Sequence, residues 1–254
     1  MITTELTRRG ETEAVLRGQF PDTSPPARIH YRGTWLGTGS KLLHLQNPIL
    51  PGPLKNLLEG RTPAGVRALV PDYDAPDRVV AWLFTFTPPA DLLADWKAAP
   101  ELTRPNLVAA QGKAVAATLA RFDGRITGHE TASPGENIPT AIFAAFREQD
   151  SLRHQASVRT KVFFINQGYF TNRTVRTYAT SEVVKAAAGL ELFYVTSLRD
   201  ALAQQTQRNR PRHFPALPRA ERSEAPTQSP VASDQASPSL APQRTPARGY
   251  RHSY

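Results

Sequence analysis

The chain has 254 residues, no cysteine and a formal net charge of +9. That length allows one domain with a full core or two small ones, while the missing cysteine excludes disulfides, thiolate-bound zinc and thiol nucleophiles and fits a reducing cytoplasm. No stretch approaches the roughly 18 apolar residues of a membrane span, the N-terminus mixes charges without the apolar run of a signal peptide, and the basic excess points to a polyanion such as nucleic acid.

In chain order, Ile2 to Thr7 reads as a strand and Thr12 to Gly18 as a short helix, followed by a loop over PDTSPPARI. In YRGTWLGTGSK, Gly33, Gly37 and Gly39 surround Trp35. Neither G-x-x-x-x-G-K-[ST] nor G-x-G-x-x-G spacing is present, so the segment reads as a turn and not as a phosphate cradle. Tyr31 and Trp35, placed in that loop, are candidates for stacking on bases. A proline-led helix is expected at Leu54 to Leu58, stopped by Gly60 and Pro63. Asp77 to Thr87 carries the β-branched and aromatic weight of a strand, in which Trp82, Phe84 and Phe86 read as core, and Pro88 and Pro89 end it. ADLLADWKA looks helical, and Asn106 to Phe122 predicts a longer amphipathic helix. A polar loop follows to Asn137, then a strand from Ile138 to Phe146.

The stretch FREQDSLRHQASVRTKVFFIN, Phe146 to Asn166, joins a cationic loop to the most apolar strand of the chain. Val162 to Ile165 reads as buried on both faces. Arg147, Arg153 and His154 lie upstream, and Arg159 and Lys161, two apart, project from one face of the strand. After a turn, one helix is expected from Thr180 or Ser181 to Gln205, with Glu182 in its first turn. From Gln207 on, Pro, Ser, Ala, Gln and Arg dominate without an apolar pattern, which predicts a disordered basic tail. The organisation expected is one folded domain, residues 1–206, and a tail, residues 207–254.

Taken together these segments resemble the relaxase domain of the MobF conjugative relaxases, the TrwC/TraI-like family. That family has an early G-x-W-x-G-x-G segment with a leucine-rich continuation and an L-L-x-G-R step, here GTWLGTGSKLLHL and NLLEGR. Its T-F-S-x-P-K-S strand end and A-V-x-x-T-L helix correspond to TFTPPAD and KAVAATLARF. Its metal segment, F-x-H-x-x-S-R, a spacer, then D-P-x-L-H-T-H and an apolar strand ending in Asn, lies on Phe146 to Asn166 without a gap. Phe146, Arg147, Ser151, Thr160 and Asn166 match, and the three histidine positions hold Glu148, Arg159 and Lys161.

The resemblance implies an α+β fold, a mainly antiparallel five-stranded sheet with packed helices and a cleft on its exposed side. It also implies a tyrosine that attacks a DNA phosphate beside a metal ion. Here Tyr31 is the first tyrosine, and Leu83 falls where the family has an acid. Arg and Lys offer a metal no lone pair, so the expectation is a degenerate relaxase without a cofactor. It would be a cytoplasmic protein of a plasmid or mobile element, holding single-stranded or hairpin DNA with Arg147, Arg153, Arg159, Lys161 and Trp35. Three alternatives stay open. Arg159 and Lys161 can be solvated residues paired with Glu148. Tyr31 can still nick DNA with Mg²⁺ or Mn²⁺ at an unorthodox site, in which Glu148 and His154 are conceivable ligands. The fold can be a regulatory scaffold whose tail recruits a protein partner.

Overall fold

Alternating β-branched and aromatic residues make β3 (Val79–Phe86), which pairs on both sides within a five-stranded antiparallel sheet. Its companions are β1 (Ile2–Arg8), β2 (Thr34–Leu36), β4 (Phe143–Arg147) and β5 (Thr160–Ile165), in the order β1-β3-β5-β4-β2. The computed structural model describes residues 1–20, 33–98, 104–128, 138–147, 159–170, 172 and 174–208. Tyr31, Glu148, Arg153, His154 and the tail beyond residue 208 lie outside the described residues.

The strand period of two sorts the sheet into two faces. Trp82, Phe84 and Phe86 of β3 share one face with Val162 and Phe164 of β5 and with Phe143 and Ala145 of β4. Against them pack α5 (Arg104–Thr127) and α7 (Leu190–Arg208), through Leu107, Ala114, Leu119 and Phe122 on one helix and Tyr194 and Leu198 on the other. Phe122 is the hub of this layer, with its ring 5.2 Å from Phe84 and 5.1 Å from Phe164, both edge-on. The opposite face, with Ala81, Phe163, Ile165, Ala144 and Phe146, shares an apolar cluster with α1 (Thr12–Gln19) and α3 (Pro51–Leu58). This cover is incomplete: Thr3 and Glu5 of β1 are exposed, and Leu83, Thr85 and Lys161 are half-buried.

Asn166 ties the end of β5 to the rest. Its Nδ2 donates to the Val79 carbonyl (2.9 Å) and its Oδ1 accepts the buried Tyr178 N–H (2.8 Å), so one side chain satisfies backbone groups of two distant segments. A hairpin of β6 (Gly168–Tyr169) and β7 (Val175–Arg176) follows.

Three expectations change. GTWLGTGSK is not a simple turn: Thr34 to Leu36 is a strand, and Gly37, at φ 89°, turns the chain into the short α2 (Thr38–Leu42). The single C-terminal helix is two, α6 (Thr180–Ala187) and α7, because Gly189 takes φ 74°, a left-handed conformation that leaves the helical path although the apolar spacing continues across it. The cap of α6 is Ala179, whose N–H donates to the Glu182 carboxylate at 2.7 Å, one residue before the expected Thr180. The segment after Pro88 and Pro89 is helical as expected, α4 (Ala90–Ala98). No described helix is long and apolar enough to cross a membrane.

Candidate nucleic-acid interface

β5 is the middle strand, so what it carries is held from both sides. Lys161 pairs with Thr85 of β3 on one flank and Phe146 of β4 on the other, while Thr85 pairs with Thr3 of β1. One row across the incompletely covered face therefore reads Thr3, Thr85, Lys161, Phe146. The next row reads Glu5, Leu83, Phe163, Ala144. Neighbouring strands are about 4.8 Å apart, which brings the two threonine hydroxyls and the Lys161 ammonium within the reach of one short polar ligand. Arg159 stands exposed just before β5, two residues from Lys161. Strand alternation carried one residue further sets it on the same face.

The arrangement is rich in donors. Lysine offers three N–H groups, arginine a planar fork, threonine a hydroxyl that donates or accepts. It suits phosphate oxygens and does not suit a metal ion, since neither cation has a lone pair to give. Among the described residues no group of three or more His, Cys, Asp or Glu side chains is placed to hold a metal. Arg159 and Lys161 themselves offer no donor that fits a divalent cation.

Two expected contacts move. Trp35 is not in an open loop: it pairs with Ala144 in β2, is 5 % exposed, and sits in the apolar cluster with Ile49 and Leu54. Its backbone N–H donates to Asn47 Oδ1 at 2.7 Å, which fixes the strand and leaves no ring face for a base. Arg147 is exposed but belongs to the parity of Phe143 and Ala145, so it leaves the sheet on the α5 side, with its guanidinium against Gly112. That is the face opposite Lys161. Tyr31, Arg153 and Glu148 are not described.

Three tyrosines are buried in the cores. Burial pushes the hydroxyl ionisation of Tyr169, Tyr178 and Tyr194 well above the usual tyrosine value, so none of them is poised as a nucleophile. Tyr73 lies beneath the Arg61 guanidinium, 4.7 Å from it. A pocket of about 570 Å³ lies at the C-terminal end of α5 beside α6, lined by Gly124, Arg125, Glu182 and Lys185 among others. Arg125 is tied there to the Ala188 carbonyl (2.7 Å), and neither Arg159 nor Lys161 borders the pocket.

Sequence reasoning missed Thr3, Glu5 and Thr85. The alternation of ITTELTR marks Thr3, Glu5 and Thr7 as one face of a strand, but nothing in it says that the strand runs beside β3.

A family model described as TrwC relaxase matches residues 27–221. No curated protein matches the chain significantly. Among solved structures, metal-bound conjugative relaxase TrwC in complex with oriT DNA is similar at a TM-score of 0.62 and 20 % identity, over 81 % of this chain and 70 % of that one. The metal-free complex gives a TM-score of 0.61 at 20 % identity, with 81 % and 70 % covered. TrwC complexed with a 27-mer DNA that comprises the recognition hairpin and the cleavage site gives 0.60 at 20 %, with 81 % and 69 % covered. At this identity the likeness is one of fold.

Proposed function

The chain belongs to the TrwC relaxase family, and from that membership we propose that it is a DNA-binding relaxase-like protein that holds single-stranded or hairpin DNA without cutting it. The observation that carries the reading is Lys161, half-buried on the central strand beside Thr85 and Thr3, with Arg159 exposed at the strand entrance. A phosphate laid across that row accepts hydrogen bonds from ammonium, guanidinium and hydroxyl together, and such charge-assisted bonds to the backbone fix position without reading sequence. No bond is made or broken in this step. Where the family pattern has histidines the chain has Glu148, Arg159 and Lys161, and where it has an acid the chain has Leu83, which pairs with Phe163 and offers no proton acceptor. The metal that would polarise a phosphate therefore has no donor set at the two described positions, and fixed positive charge occupies its place. TrwC is the precedent for the ligand, since it was solved with oriT DNA and with a hairpin-bearing 27-mer. In this reading residues 1–206 form the DNA-binding domain, residues 207–254 add non-specific attraction or recruit a protein partner, and the protein acts in the cytoplasm on a plasmid or mobile element.

The test is an incubation of the full chain with random-sequence single-stranded and hairpin oligonucleotides, with Mg²⁺ or Mn²⁺, resolved on a denaturing gel. Salt-sensitive binding with no covalent protein–DNA adduct is expected. An adduct that Tyr31→Phe abolishes would show a working relaxase.

A further inference from the structure

Among the described residues nothing pairs with the outer edge of β1, and its geometry suits a second copy of the same strand. Met1 and Thr87 exchange both backbone bonds, Met1 N to Thr87 O at 2.6 Å and Thr87 N to Met1 O at 2.9 Å. Reciprocal pairs recur every second residue in an antiparallel ladder, so Thr3, Glu5 and Thr7 turn their N–H and C=O groups toward β3. Ile2, Thr4 and Leu6 turn theirs outward. Among the described residues no backbone hydrogen bond reaches these three from outside the sheet.

Open edges of this length are usually blunted by a lysine, a proline or an inward-pointing charge. Between Ile2 and Leu6 this strand has none of them on its outward parity, and the only irregularity comes at Thr7/Arg8. Leu6 is 45 % exposed, a branched apolar side chain at the margin of the helix-covered face. The opposite edge, β2, is only three residues long and offers no comparable ladder.

We propose that two copies pair β1 to β1 about a two-fold axis at Thr4, joining their sheets into one antiparallel sheet. In that register Thr4 faces Thr4, and Ile2 faces Leu6 on the apolar side. Three facing pairs exchange about six hydrogen bonds, two per pair. On the other side Glu5 faces Thr3. The register shifted to put the axis on Glu5 sets two carboxylates against each other and loses an apolar pair, so the charge pattern selects the first. The chain's own C-terminal segment is a poorer occupant, because its recurring prolines lack the N–H that a ladder needs. The axis runs perpendicular to the sheet, so both copies present their Lys161 rows on the same side. With two strands, β3 and β1, between each β5 and the axis, the two Lys161 positions lie about 24 Å apart, five strand spacings of about 4.8 Å.

The experiment is sedimentation of the full chain without DNA over a dilution series, so its outcome does not depend on the DNA-binding reading. A concentration-dependent dimer is expected. Thr4→Pro should be monomeric at the concentrations where the parent is dimeric, with its melting temperature kept, because the Thr4 N–H takes no part in the β1–β3 ladder. Thr3→Pro, whose N–H does, should unfold far more easily. Should Thr4→Pro fail to fold, Leu6→Lys takes its place and should abolish the dimer. A parent protein that stays monomeric at the highest concentration overturns the proposal, as does a dimer that persists in folded Thr4→Pro or Leu6→Lys.

Discussion

Replacing Arg159 and Lys161 together by alanine removes two cations from one strand face without opening a core, since Arg159 is exposed and Lys161 only half-buried. If each neutralises one phosphate of a single strand, each contributes about 0.7 to the slope of log Kobs against log salt, so the double variant should be shallower by about 1.4. Taking about 1 M salt as the point where the counterion contribution vanishes, 0.7 in the exponent is a factor of about 5 per contact at about 0.1 M. Two contacts then give a loss of about 25-fold at that salt. Fluorescence anisotropy of a labelled single-stranded oligonucleotide between about 50 and 200 mM salt measures both quantities. The tail charges are common to parent and variant and cancel in the difference, and a thermal melt checks that the fold is kept. Arg147→Ala is the companion measurement: on the α5 side of the sheet, it should leave the slope unchanged. Equal slopes for parent and double variant refute the reasoning. So does an Arg147→Ala slope that falls as much as the double variant's.

Asn166→Ala removes one buried and one part-buried side-chain bond and leaves the buried Tyr178 N–H without its side-chain partner, so denaturant unfolding should show a loss of about 1–3 kcal/mol; a change below about 0.5 kcal/mol contradicts the role given to this residue. Gly37→Ala should cost at least about 1–2 kcal/mol, because the residue sits at φ 89° and a methyl there would lie 2.5 Å from the Ala141 carbonyl oxygen; an unchanged melting temperature refutes it. Tyr169, Tyr178 and Tyr194 have folded-state ionisations raised from 10.0, mainly by burial, so their contribution to stability is complete below about pH 10 and falls as pH rises toward the folded values. Each can lose up to about 1.4 kcal/mol per pH unit in that window. Tyr194, whose hydroxyl meets no partner among the described residues, isolates the effect: Tyr194→Phe should be as stable as the parent at neutral pH and decline less steeply above pH 10. Parallel declines would refute the assignment.

Residues whose own chemistry sets their local state were legible in the linear chain. The aromatic and β-branched run of Val79 to Phe86, the apolar Val162 to Ile165 and the amphipathic Asn106 to Phe122 each became the expected element, because a strand or a helix is the local way to hide those patterns. The motif spacing likewise sufficed for the family, and it placed Arg159 and Lys161 at the mouth of the central strand. Gly189 was harder: the apolar period runs through it, and only packing shows that the chain turns there and that α6 and α7 are separate.

Which face each side chain occupies was decided by tertiary structure alone. Trp35 and Arg147 read as surface contacts in a linear chain, yet the pairing of β2 and β4 buries the first and sends the second to the α5 side, since shifting a strand by one residue exchanges its two faces. Thr3 and Thr85 lie more than 80 residues apart and become neighbours of Lys161 only because β1 pairs with β3 and β3 with β5. The sequence determined the charges at the strand entrance and the strand that bears them. The sheet decided what stands beside them, because hydrogen-bonded pairing of distant segments leaves no trace in local periodicity.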